Sequence, residues 1–395
     1  MKKITYLLGA GASAEAIPVV NGMHNRLLEI TNLLENIKRQ MVRQEGDWPR
    51  FEDIGGNLTS IIKDFKWAIN EISGHPTFDT LAKKYFLTNN TPELNKLKVV
   101  LILYFSFVQL VDFTLIANEN ERGKDEPPFI PRNKYFDKRY DGFIASIARN
   151  EEDGFNLSKN ILILSWNYDM QFEFALRNYK KKQVQKNQRE FNIIPNMHSI
   201  QSKHTILEKN DESFLLIKLN GNAFWAMVDP KQPGKLLDYN PWDFDIRNKN
   251  KKELIQFNFN TIIKNYNYLL EKNGILNQID PIMYLNFAWE NSPNFINKYP
   301  TYTNHLNLAV EKARETEILV IIGYSFPIFN RESDKKMVNS MVNLKKVYIQ
   351  DYNAKQIESI LINSLGLSAK KEINFQLEEK NLGQFMIPFE LDFNN

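Results

Sequence analysis

The sequence predicts an α/β protein, a doubly wound parallel sheet carrying a large inserted helical module. Two observations carry this. Five short runs, residues 4–8, 161–165, 215–219, 318–323 and 346–350, are nearly continuous Ile/Leu/Val-rich stretches. Such runs suit strands buried on both faces of a parallel sheet. Helical patterns separate several of them, 170–182 after the second and 307–316 before the fourth, as βαβ winding requires.

The elements follow in order. Residues 4–8 form the first strand, and a glycine turn follows at once. Between the first and second runs, the segments 26–43, 58–72, 80–87, 94–118 and 140–150 carry helical periodicity, which reads as a module inserted into the sheet. The apolar stretch 99–117 is interrupted by Gln109 and Asp112. An acidic residue is costly in mid-membrane, so a buried helix is expected. Residues 121–132 are a linker by composition, and the basic stretch 180–186 reads as a solvated helix end. The segment 226–305 is rich in Asn, Lys and aromatics, with several turn signals, and reads as a second insertion. The expected organisation is a sheet core from 1–25, 155–225 and 306–395, a helical module at 26–154, and the insertion at 226–305.

Bulk composition excludes several classes. The chain has 395 residues, 43% hydrophobic and 25% charged, an ordinary globular balance. Its 50 basic and 47 acidic residues leave a formal charge of +3, too little to call for direct nucleic-acid contact. Cysteine is absent, which rules out disulfides and Cys-ligated zinc. No spacing among the five histidines suggests any metal site. The opening Met-Lys-Lys-Ile-Thr-Tyr-Leu-Leu lacks a signal peptide's apolar run and cleavage site, and no span is expected. The expectation is a soluble, cytoplasmic protein.

The chemistry gathers at strand ends. Gly9-Ala10-Gly11-Ala12-Ser13-Ala14 fits the G-x-G-x-x-G/A pattern of a Rossmann-like βα turn, where a helix N-terminus meets a diphosphate. A hydride-transfer enzyme would place a second strand with an acidic end soon afterwards; here that region reads as helix. Asn167 and Asp169 follow the second run, where ligands of open α/β sheets bind, although both are also good helix caps. Asn220-Gly221, Gly323-Tyr324-Ser325 and Asp351 follow the third, fourth and fifth runs. Arg331, Glu332 and Asp334 either reach a nucleotide or form a charged helix start. His75 sits in a Gly-His-Pro turn, and His198 and His204 in a polar loop.

In this order the motifs resemble the sirtuin family, in its bacterial NAD-hydrolysing branch. The matching elements are Gly9 to Ser13, then Ile17-Pro18, Asn167-Tyr168-Asp169, Lys218-Leu219-Asn220-Gly221, Gly323-Tyr324-Ser325 and Asp351. They cover the sheet core, roughly half of the chain. The resemblance implies NAD as substrate, held by Gly9, Ala10, Gly11, Ala12, Ser13, Ile17, Pro18, Gly221, Gly323, Tyr324, Ser325 and Asp351. It implies Asn167, Asp169 and the residue at 220 as the catalytic set, and NAD glycohydrolase activity in antiphage defence. Homo-oligomers and a partner are implied too, either a DNA-translocase-type ATPase or an Argonaute-like protein.

Two departures redirect the reading. Without cysteine the zinc ribbon of the deacylases cannot exist, so protein deacylation is disfavoured. The family's catalytic His falls at Asn220, which cannot take up a proton at neutral pH. Cleavage of the nicotinamide–ribose bond passes through an oxocarbenium-like state and releases a neutral base, so no general acid is required. Loss of a general base slows such a step by about 10²–10⁴-fold. His75 is a candidate replacement. The alternative is a degenerate NAD or ADP-ribose sensor.

Overall fold

The computed structural model describes residues 2–43, 56–111, 136–151, 154–177, 179, 192–194, 214–223, 258–264, 266, 269–270, 285–291, 305–367 and 373–391. The linker 121–132, the basic stretch 180–186, His198, His204 and most of the second insertion lie outside these residues. The chain divides into two compact units. The first comprises 1–15, 137–222 and 284–395, and the second 16–136 and 223–283.

The first unit is a seven-stranded sheet, parallel throughout, in the order β5-β6-β4-β1-β7-β8-β9. Its strands are β1 (Ile4–Leu8), β4 (Ile161–Ser165), β5 (Asn192–Ile194), β6 (Leu215–Lys218), β7 (Ile318–Ile322), β8 (Lys346–Gln350) and β9 (Asn374–Glu378). A separate antiparallel pair, β2 (Ala148–Glu151) and β3 (Gly154–Leu157), completes the strands. β1 lies at the centre, flanked by β4 and β7 in full register. The winding reverses there, one side of the sheet being built before β7 and the other after it.

Both faces are covered, which is why the central runs are apolar without alternation. On one face Leu7, Leu164, Ile217 and Ile321 join a core with α7 (His305–Ala313), α8 (Arg331–Ser340) and α9 (Ala354–Ser359). On the other, Tyr6 meets Phe143 of α5 (Lys138–Ile147) at 4.8 Å, and Phe172 of α6 (Gln171–Arg177) stacks on Phe214 at 5.7 Å. Phe385, from the segment after β9, packs on Tyr140 and Phe143 at 4.9 and 5.7 Å.

The second unit holds α1 (Val20–Arg43), α2 (Asn57–Ile72), α3 (Phe78–Leu87) and α4 (Thr91–Leu110). Thr77 caps α3, its hydroxyl accepting the Thr80 amide at 3.1 Å. From Leu97 to Leu110 every residue of α4 is buried, so its apolar surface runs all round and shows no stripe. Ser106 and Gln109 are accommodated by donating to the carbonyls of Ile102 and Phe105, one turn earlier. Among the described residues no helix is long and apolar enough to cross a membrane.

Three expectations are corrected. Residues 148–150, expected to continue a helix, form β2. The apolar stripe of α5 ends at Ile147 and Ala148 is already extended, which frees the polar residues that follow to pair with β3. β3, β5 and β9 were not foreseen. Third, the glycine turn does not open an α-helix: Ala10–Ser13 forms a single 3₁₀ turn, and α1 starts at Val20, in the second unit.

His305, at the start of α7, is buried, and burial lowers its pKa to about 4. Its folded pKa lies below its unfolded value of about 6.5, so the unfolded chain binds the extra proton. Stability from this group is complete above pH 6.5 and is lost as pH falls towards 4. The loss between pH 7 and pH 5 should be about 2 kcal/mol. It is measured as the difference in urea midpoints between wild type and His305→Leu across that range.

Candidate functional site

The strand ends are tied together beyond the strands themselves. Trp166 N–H donates to Leu8 O at 3.0 Å and Leu219 N–H to Ser165 O at 2.8 Å. Gly9 N–H reaches Ile322 O at 3.0 Å, Gly323 N–H reaches Gln350 O at 3.1 Å, and Asp351 N–H reaches Glu378 O at 3.1 Å. The polar residues after β6, β4, β1, β7 and β8 therefore form one ordered row. With strands about 4.8 Å apart, the row from Asn220 to Asp351 spans four gaps, about 19 Å.

The glycines of the first turn are explained by packing. A Cβ on Gly9 would lie 2.5 Å from Gly323 O, and one on Gly11 would lie 2.6 Å from Gly323 Cα. Gly323, at φ +59°, has no more space: its Cβ would stand 2.4 Å from the backbone of Gly11 and Ala12. Gly11 N–H donates to Gly323 O at 2.9 Å. Packing against the β7 loop alone thus requires glycine at Gly11. Its missing side chain and its amide both serve the contact with the β7 loop. Ala10 and Ser325 are the exposed residues of the two turns.

Asn167, Asp169 and Ser13 are brought together. Asn167 Nδ2 donates to Ser13 Oγ at 3.2 Å, and Ser13 Oγ lies 3.0 Å from Tyr140 Oη. Asp169 is buried and accepts hydrogen bonds from Ser13 and from the Gln171 amide, the latter at 3.0 Å. Burial raises the Asp169 pKa above the usual carboxylate range despite the opposing charge of Lys218. Burial also pushes Tyr140 well above the ordinary phenol range, with the charge of Asp169 acting in the same direction. Tyr140 therefore keeps its proton. The cap expectation holds for Asp169, which receives the amide at the start of α6, while the Asn167 amide nitrogen goes to Ser13 instead.

Asn220 follows β6 on the neighbouring strand end. Its Nδ2 donates to Trp166 O at 3.3 Å, and its Oδ1 is buried without a hydrogen-bond partner among the described residues. Both amides thus turn their nitrogens into the protein. Gly221, at φ +74°, makes the turn that follows, and Asn286 N–H closes onto Asn220 O at 2.9 Å. Lys218 is buried beneath, with its ammonium on Glu173 at 2.9 Å and on the Asp169 carbonyl.

No protein-family model matches this sequence, and no curated protein matches it.

Not every expected residue faces ligand space. The Tyr324 ring is buried and stacked on Trp166 at 6.1 Å, and its hydroxyl donates to Asp334, 2.8 Å from Oδ2. Trp166 Nε1 donates to Asp334 Oδ1 at 3.2 Å. Tyr324 and Asp334 thus form a buried clasp between the β4 and β7 loops. Burial holds the Asp334 carboxyl well above its usual range. Arg331 and Glu332 are exposed at the start of α8. Asp351 uses Oδ1 to accept the Asn353 amide at 2.8 Å. Ile17, Pro18 and His75 belong to the second unit, where His75 Nε2 lies 3.4 Å from Lys84 Nζ. Among the described residues no group of three or more His, Asp or Glu side chains is arranged to hold a metal ion.

Sequence reasoning missed the start of α5. Asp137 and Arg139 form a buried pair at 2.6 Å against the glycine turn. No motif marks them, and they fall in a stretch assigned to the helical module.

Proposed function

We propose that the sheet unit binds NAD along the carboxyl edge of its sheet and hydrolyses the nicotinamide–ribose bond, releasing nicotinamide and ADP-ribose. The observation that carries this reading is the buried, unpartnered Oδ1 of Asn220 beside Asn167. A buried acceptor without a donor costs about 1–3 kcal/mol, and a sugar hydroxyl would relieve that cost. The row of strand ends supports an extended ligand. Its nicotinamide ribose would lie at Asn220 and Asn167, its diphosphate near Ala10 and Ser325, and its adenosine towards Asp351.

On this reading the amide carbonyls hold ribose hydroxyls and face the positive charge that develops as the C1′–N bond breaks. The leaving base departs neutral. Water attacks C1′ and loses its proton to solvent, because Asn220 cannot accept it. The same reading makes the chain an antiphage effector working as an oligomer, alongside a translocase-type ATPase or an Argonaute-like protein. A second reading, an NAD or ADP-ribose sensor, is favoured by one observation: the position that a base would occupy holds an amide.

Calorimetry with NAD and an assay of nicotinamide release decide between them. Binding with turnover supports the hydrolase, and binding without turnover assigns the sensor. No binding overturns both.

A further inference from the structure

We infer that Arg139, with Asp137, is a positioning residue that sets the nucleotide turn by gripping its backbone. The inference rests on the NAD reading above. Arg139 is half-buried with its side chain largely covered, and its guanidinium is directed at main-chain oxygens. Nη2 lies 3.1 Å from both Gly11 O and Ala12 O, and Nη1 lies 3.3 Å from Leu382 O, in the segment after β9. Nε and Nη2 also bind the two oxygens of Asp137, at 2.9 and 2.6 Å. Asp137 Oδ2 in turn accepts the Glu15 amide at 3.2 Å, and the Asp137 amide donates to Gln171 Oε1 at 2.8 Å.

The turn is therefore held at Gly11, Ala12 and Glu15, three points in five residues, by one ion pair at the start of α5. These hydrogen bonds go to the backbone of the turn, and the Glu15 carboxylate adds an ion pair with Arg139 Nε at 3.9 Å. The grip explains how the turn keeps a 3₁₀ conformation without an α-helix behind it. It also fixes Ser13, which lies inside the gripped segment and receives Asn167. A planar guanidinium with five donors can serve three carbonyls and a bidentate carboxylate together, whereas an ammonium with three donors cannot.

Arg139→Lys tests this, read by calorimetry with ADP-ribose, amide hydrogen exchange and thermal unfolding. The expected result is an ADP-ribose affinity at least about tenfold weaker, because small displacements in a site have large effects. Exchange should accelerate at residues 10–15 and stay unchanged in β1, with the unfolding midpoint nearly held. Wild-type affinity in the variant overturns the inference and leaves the NAD reading standing. So does a lowered midpoint with unchanged affinity, which would make the pair a plain structural strut. If Arg139→Lys does not fold, Asp137→Asn, which keeps the shape of the pair, takes its place with the same outcomes. Failure of the wild type to bind ADP-ribose overturns the NAD reading, and this inference with it.

Discussion

Gly323→Ala is expected to destabilise the sheet unit by roughly 2–5 kcal/mol, the left-handed backbone contributing about 1–2 and overpacking about 1–3. Gly323 has φ +59°, and its added Cβ would fall 2.4 Å from the backbone of Gly11 and Ala12. That neighbour is main chain held by β1, so it cannot swing aside as a side chain would. The thermal midpoint should drop by about 5–15 °C, at a few degrees per kcal/mol. Gly142→Ala is the matching control. It lies on the exposed face of α5, where a Cβ meets open space, and should stabilise by about 0.5–1 kcal/mol. A midpoint for Gly323→Ala within 2 °C of wild type would show that the junction of the two turns yields easily.

The second large effect concerns the two amides. On the hydrolase reading Asn167→Ala should reduce nicotinamide release by about 10²-fold or more, as loss of an aligned polar group in an active site does. Asn220→His should move the other way, by up to about 10²–10⁴-fold, because imidazole supplies a general base. It should also add an acid limb to the pH–rate profile near the imidazole pKa of about 6.5. Wild type should lack that limb. Equal rates for wild type, Asn167→Ala and Asn220→His would remove these residues from the chemistry.

The central strands were legible because burial on both faces leaves an unbroken apolar run, as in β1, β4, β7 and β8. The edges were not. β9 is Asn-Phe-Gln-Leu-Glu with its residues exposed or half-buried, and a polar five-residue stretch looks the same in a loop as at a sheet edge. β5 has three residues, too few for any periodicity. At the site, the strand-end polar residues could be read from sequence because they follow recognisable runs. What the glycines pack against could not, since the contact between Gly11 and Gly323 joins distant segments. Arg139 was hidden for a related reason: its contacts across the fold are with the backbone oxygens of Gly11, Ala12 and Leu382, which carry no residue identity.

The central position of β1 has a consequence for how the protein is made. Ile4 to Leu8 are synthesised before either neighbouring strand, and the one on their second side, beginning at Ile318, emerges roughly three hundred residues later. At about 5–20 residues per second, this apolar strand waits tens of seconds with an open edge. During synthesis the edge of β1 that later pairs with β7 therefore stays open until Ile318–Ile322 has been made, and a slowly translated message would lengthen that exposure.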